Sequence, residues 1–337
     1  MNTWTVMRRI LTQFRRDKRS MALMIMAPIL VLTLMWLVLD SEQDELDIAI
    51  IDVPEPITDQ FSDKDTQLTR MTKEGAEEEL SNQSLDAIIE WQDDKPVITV
   101  EGSDPNTTSS IHNLIQQSLR SPDTIQPEIE FWHGSSNLDL FDYIGPVLIG
   151  FFVFFFVFIV GGVSFLRERT QGTLERILST PLKRSELVMG YLSGFGLFTI
   201  LQSVLIAAYS IYVLDVFMDG NFFYVLLVTF LLALSALSLG TLLSAFAKNE
   251  FQMIQFIPLV IVPQVFFSGL FPIEGLSDWL QAIGKIMPLT YGADALRGIM
   301  LRGESFLEFQ TDLYVLLGFI VLFTVLNIAA LKRYRKL

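Results

Sequence analysis

Six stretches of this chain are apolar for about 20 residues at a time, and nothing constrains its fold more. The first, MALMIMAPILVLTLMWLVL, occupies residues 21–39. As a helix it is about 28 Å long at ~1.5 Å per residue, close to the thickness of a bilayer's hydrocarbon core. The others are 144–166, 187–214, 222–246, 252–272 and 312–331. Inside hydrocarbon no water satisfies backbone N–H and C=O groups, so each stretch must be helical. With 51% hydrophobic residues and 27 phenylalanines, the chain reads as a polytopic membrane protein.

Charge assigns the sides. The whole chain carries −14, but residues 40–142 hold 25 acidic and 5 basic residues, a net of −20, which leaves +6 for the rest. A basic membrane part therefore carries one acidic insert. Arg8, Arg9, Arg15, Arg16, Lys18 and Arg19 precede the first span; Arg167, Arg169, Arg176, Lys183 and Arg184 follow the second; KRYRK, residues 332–336, follows the sixth. With six spans these clusters share one side, which the positive-inside rule makes cytoplasmic, with both termini there and residues 40–143 outside. The first span lacks a small-residue cleavage site and is followed by DSEQDELD, so it is expected to remain as an anchor.

The expected fold class is mainly α: a six-helix membrane domain, a cytoplasmic interfacial N-terminal helix and a small α/β extracellular domain between spans one and two. Residues 1–39 form the interfacial helix and first span, 40–143 the acidic domain, and 144–337 spans two to six. In NTWTVMRRILTQFRRDKR, Trp4, Met7, Ile10, Leu11 and Phe14 recur at helical spacing opposite the basic residues. Such a helix can anchor to anionic lipid or also touch a cytoplasmic partner. In the insert, LDIAIIDV, DAIIEW and PVITVEG read as strands, KEGAEEELSN and SSIHNLIQQSLRS as helices, and QDDK as a turn, giving the order β-α-β-β-α. Its acidity fits a solvated face, or a surface that attracts cationic ligands.

Missing chemistry narrows the function. The chain has no cysteine, no GxxxxGK[ST], no HExxH and no GxSxG, which removes thiol chemistry, phosphate-loop ATP hydrolysis and common hydrolase sites. His112 and His133 are separated by a helix and bracketed by no carboxylate pattern, so no metal site is expected. Spans two to six hold no charge at depth, as an ion-coupled carrier would need. Gln202, Gln252, Gln255, Gln264 and Asn327 are expected to join helices, as are the pairs Ser193-Gly194 and Ser268-Gly269. Transport by such a chain needs energy from elsewhere.

Between spans two and three lies RERTQGTLERILSTPLKRSEL, residues 167–187. Thr173 can cap a short helix with Glu175 in its first turn. Leu174, Ile177 and Leu178 then share one face, Pro181 sets the stop, and Ser185 can cap the next span. This is either an ordinary interfacial helix or a rigid apolar knob ringed by charge, the form a docking element takes.

The segment RERTQGTLERILSTPLKRSELVMGY resembles the cytoplasmic segment of ABC-2-type ATP-binding cassette transporter permeases. It supplies that family's Arg167, Glu168, Arg169, Gly172, Thr173, Leu174, Glu175, Thr180, Pro181, Glu186 and Gly190. FFSGLFPIEGLSDWLQAIGKIMPLTYGADALRG is similar to the outer segment before the family's last span, except that Ser277-Asp278 stands where a proline is common. The resemblance implies a non-enzymatic permease subunit of the plasma membrane, paired with a second, identical or different, permease subunit. Separate ATPase subunits would hold ATP and Mg, and this chain would bind no cofactor and no nucleic acid. It implies a coupling helix near 168–183, with Arg167, Glu168, Arg169, Gly172, Thr173, Leu174, Glu175, Ile177, Leu178 and Pro181 as coupling residues, and outer re-entrant helices near 273–308. Export of a hydrophobic or amphipathic drug, antibiotic, lipid or peptide would follow.

Candidate pathway residues are Gln255, Pro258, Pro263 and Gln264 in span five, whose prolines leave the carbonyls of Ile254 and Leu259 without their usual donors. Packing kinks explain the prolines equally well. FFVFFFVF in span two could offer an aromatic surface to a substrate, but rings so closely spaced face all round the helix. The alternative to transport is a membrane sensor or scaffold whose outer domain binds a ligand and signals inward.

Overall fold

The computed structural model describes residues 3–39, 46–54, 66–82, 84–92, 95–100, 140–271 and 277–331, together with Thr58, Ile111 and Leu114. The chain forms two units, one of residues 1–40 and 131–337, the other of residues 41–130.

In the larger unit, helix α1 (Thr3–Arg16) precedes span one, α2 (Lys18–Leu39). Span two is α4 (Leu140–Thr170) and a short helix α5 (Thr173–Leu178) follows it. Spans three and four are α6 (Arg184–Tyr212) and α7 (Phe222–Ser244). Span five is α8 (Glu250–Val265), closed by a wide π-type turn over Phe266–Leu270. Two short helices, α9 (Asp278–Gly284) and α10 (Pro288–Arg302), lead to span six, α11 (Phe306–Ala330). The six long apolar helices fall where the hydrophobic runs place them.

Span two is the hub. Of its 31 residues 19 are buried, against four of 25 in span six. Its 31 residues reach about 46 Å at ~1.5 Å per residue, well beyond the hydrocarbon core, so its charged last turns stand clear of the apolar region. Phe154 and Phe158 are fully buried and stack along the helix, and Phe152 and Phe156 are buried too. The aromatic run is packing, with only Phe151 and Phe155 partly exposed. Span four crosses closely at Gly240, where a Cβ would lie 2.5 Å from the Phe158 carbonyl oxygen.

Two of the uncharged polar residues join helices as expected. Asn327 Nδ2 donates to the Ser238 carbonyl at 2.7 Å and to Thr241 Oγ1 at 3.2 Å, tying span six to span four. Gln264 Oε1 accepts from the Leu289 N–H at 3.0 Å, satisfying one of the free amides at the start of α10.

The smaller unit holds a four-stranded sheet ordered β2-β1-β3-β4. Its strands are β1 (Leu46–Ile51), β2 (Thr66–Arg70), β3 (Ala87–Gln92) and β4 (Lys95–Val100), with α3 (Lys73–Ser81) between β2 and β3. β1 runs parallel to both β2 and β3, whereas β3 and β4 are antiparallel. Ile48, Ile50 and Ile89 pack with Ile111 and Leu114, and Ala49, Ile51 and Ile88 pack with Ala76 of α3. Strand β2 is additional to the three expected strands. TQLTR is polar and mostly exposed, so it carries no hydrophobic alternation to betray it. The expected second helix lies outside the described residues apart from Ile111 and Leu114, as do His112, His133 and the Asp93-Asp94 turn. On α3, Lys73 Nζ donates to both carboxylate oxygens of Glu90, at 3.0 and 2.8 Å, and holds that carboxyl below the usual range.

Candidate functional site

The charged end of span two is held from several sides, and its three consecutive charged residues each reach a different neighbour. Arg167 makes a two-pronged pair with Glu250, Nε at 2.7 Å and Nη2 at 3.1 Å, at the first residue of span five. Arg169 donates to the carbonyl oxygens of Ala245 (2.6 Å) and Ala247, just past the end of span four. A cation there complements the negative end of that helix. Glu168, between them, is buried and pairs with Arg9 of α1, while the Tyr191 hydroxyl of span three donates to the same carboxylate oxygen. These contacts join span two to α1 and to spans three, four and five.

Helix α1 lies along span three. Among its described side chains Val6 and Ile10 are buried, set over Gly190 and Gly194. A Cβ on Gly190 would stand 2.6 Å from Val6 Cβ, and one on Gly194 would stand 2.9 Å from Ile10 Cβ. Of the expected stripe Ile10 is buried, Met7 and Leu11 are partly buried and Trp4 is 67% exposed, Phe14 lies outside the described side chains, and Val6 joins the buried edge. The two glycines, four residues apart, allow this approach and bring Arg9 to Glu168.

After Thr170 the chain must leave span two and turn across its end. Gly172 makes that turn with φ 73° and ψ 5°, a left-handed conformation that glycine adopts without a Cβ clash. Gly172 rather than Thr173 occupies the N-cap, and Thr173 is the first helical residue. Helix α5 ends at Leu178, two residues before Thr180-Pro181. Span three then starts at Arg184, with Lys183 as its N-cap and the Glu186 carboxylate accepting from the Lys183 N–H at 2.8 Å. Ser185, expected as the cap, lies inside the helix, because Glu186 reaches back to the earlier position.

The expected apolar knob is inverted. Leu174 and Ile177 are buried, 1% and 7% exposed, in the chain's own core, and Leu178 packs beside them. An apolar face on a short interfacial helix finds its nearest cover in the bundle that carries it. The outward face of this segment is polar: Gln171, Glu175, Arg176, Ser179, Pro181 and Lys183 are exposed. Arg167, Glu168 and Arg169 belong to the last turn of span two, not to the short helix.

The four candidate pathway residues do not share a face. Gln255 and Pro258 are exposed, in a stripe with Phe251, Ile254, Leu259 and Val262, while Pro263 is partly buried and Gln264 turned inward to α10. At the end of span five Gly269 has φ 85°, and α10 caps the open turn: Thr290 Oγ1 donates to the Phe267 carbonyl at 3.0 Å, and Arg297 Nη2 to that of Gly269 at 2.9 Å. Arg297 also lies over the Tyr143 ring, 5.0 Å from its centroid. Sequence reasoning missed Arg9, Tyr191 and Glu250, whose partners are distant in the chain.

A family model described as "ABC-2 family transporter protein" matches residues 18–329. The chain belongs to this family. Residues 18–329 are therefore an ABC-2 permease domain, with six candidate membrane helices among the described residues. Among curated relatives, "ABC transporter G family member 20" of Dictyostelium discoideum is 28% identical over 63% of this chain and 29% of its own length. "Probable multidrug ABC transporter permease YbhS" of Escherichia coli K12 is 24% identical over 70% of this chain and 66% of its own. "Nodulation protein J" of Neorhizobium galegae is 30% identical over 50% and 64%. The chain thus spans less than a third of the first of these proteins and under two thirds of the other two.

Proposed function

We propose that this permease exports a hydrophobic or amphipathic compound using ATP hydrolysed by a separate subunit, and that the segment Gln171–Pro181 is where that subunit pushes. One observation carries the reading. The short helix α5 is rooted by Leu174 and Ile177 in the permease core, and the adjoining Arg167, Glu168 and Arg169 bind α1 and spans three, four and five. Force applied to its exposed face is then passed to the bundle rather than absorbed by a loop. Rigid tilting of helices in a packed bundle is an established route to alternating access.

The distribution of basic residues supports placing this end and both termini in the cytoplasm, with the acidic insert outside. The exposed stripe of span five, which includes Gln255, supports a second permease subunit across the pathway. A polar amide facing lipid is costly, whereas one facing a partner or a cavity is not. The multidrug name of one relative supports a broad apolar substrate class.

The test is a charge reversal on the outer face, Glu175→Arg with Arg176→Glu, which leaves Leu174 and Ile177 in place. Loss of ATPase co-purification and of substrate efflux, with normal membrane insertion, is the expected result. Wild-type ATPase binding and transport in this double variant would remove the coupling assignment.

A further inference from the structure

Between α1 and spans three, four and six lies an apolar groove of about 700 Å³. Its walls include Trp4, Met7 and Leu11 of α1, so it opens beside the helix that the basic N-terminus holds at the membrane surface. Its size falls within the roughly 300–1,000 Å³ of small-molecule sites, which suits a single chain of hydrocarbon and not a partner helix. We propose that this groove binds one anionic phospholipid of the leaflet next to the N-terminus, with an acyl chain against Trp4, Met7 and Leu11 and the phosphate at Arg8.

Charge selects that occupant: α1 carries Arg8, Arg9, Arg15 and Arg16 and no acidic residue. Arg9 is committed to Glu168, but Arg8 is exposed and by helical spacing falls between Trp4 and Leu11, two of the residues that line the groove. One cation thus flanks the apolar stripe that the sequence pattern set opposite the basic residues. The site shares α1 with the Arg9–Glu168 pair, and its side of the membrane rests on the topology proposed above.

Full-length protein in phosphatidylcholine vesicles tests this with Trp4 as reporter, its emission taken as the difference between wild type and Trp4→Phe. A minor fraction of phosphatidylglycerol with brominated chains should quench Trp4 about fivefold more than an equal fraction of brominated phosphatidylcholine, the preference one arginine gives near an anionic surface. Ser193→Phe, which fills the groove, and Arg8→Gln, which removes the headgroup contact at an exposed position, should each abolish the excess. Equal quenching by the two lipids in wild type, or an excess that survives either substitution, overturns the proposal. Sidedness is read separately, by labelling Thr5→Cys with an impermeant maleimide in oriented vesicles. The chain has no native cysteine to interfere, and labelling from the wrong side would contradict the topology rather than the groove.

Discussion

Arg9 of the first helix and Glu168 at the end of span two form an ion pair, and Tyr191 of span three donates to the same carboxylate. The Glu168 side chain is 7% exposed and that of Arg9 33%, so the glutamate depends on its partners more than the arginine does. Arg9→Ala leaves a buried carboxylate with one donor fewer. The expected cost is about 1.5–3 kcal/mol, the range for hydrogen bonds to charged groups and below that for a fully buried pair. Arg9→Ala with Glu168→Gln should be more stable than the sum of the two single losses predicts. Thermal unfolding of the four proteins in one detergent measures this, and strict additivity would show that the pair is not coupled.

The approach of α1 to span three depends on Gly190. A Cβ there would meet Val6 Cβ and Cγ1 and come within 3.1 Å of the Thr3 carbonyl oxygen, whereas at Gly318 in span six nothing lies within 4 Å. Gly190→Ala should therefore destabilise by about 1–3 kcal/mol, as overpacking does. Gly318→Ala should be neutral or stabilising by up to about 1 kcal/mol from helix propensity. Melting temperatures of the two variants that fall together would refute the contact.

The membrane architecture was readable from sequence because its cause is local: twenty apolar residues in a row have one answer in hydrocarbon. Most spans differ from their expected limits by a few residues, and spans two and six run longer because the ends Arg167–Thr170 and Phe306–Thr311, which carry polar residues, extend the helices beyond the apolar core. The short helix was legible in position but not in orientation. Periodicity shows that Leu174, Ile177 and Leu178 share a face, yet cannot say whether that face meets a partner or the chain's own bundle. The partners of Arg167, Glu168 and Arg169 were hidden for the same reason, since Arg9, Tyr191 and Glu250 come close only after packing. Strand β2 was missed because an exposed edge strand such as TQLTR needs no apolar alternation.

The inward face of the short helix makes a prediction about the permease alone. Leu174→Ala should lower its stability by about 2–5 kcal/mol, the range for truncating a buried leucine, with no ATPase present. Glu175→Arg, on the exposed face, should stay within about 0.5 kcal/mol of wild type. Detergent-solubilised permease, purified on its own and unfolded by heat, distinguishes them. If Leu174→Ala melted like wild type, that side chain would not be buried in the core.

Span five makes the final prediction, because two of its three glutamines, Gln255 and Gln264, sit in opposite environments. Gln264 is 1% exposed and its amide oxygen accepts from the Leu289 N–H, so Gln264→Leu leaves a buried donor unpaired at the start of α10. The expected loss is about 1–3 kcal/mol of stability, with the order of preference among transported compounds unchanged. Gln255 is exposed on the face with Pro258 and Val262, and no buried partner would be orphaned by Gln255→Leu. That variant should keep wild-type stability and alter which compounds are exported, if its face lines the pathway. Efflux measured across a panel of apolar and amphipathic compounds, beside the melting temperature of each variant, separates the two roles. A Gln264→Leu protein with wild-type stability but a changed substrate order would reverse the assignment and put the pathway on the other side of the helix.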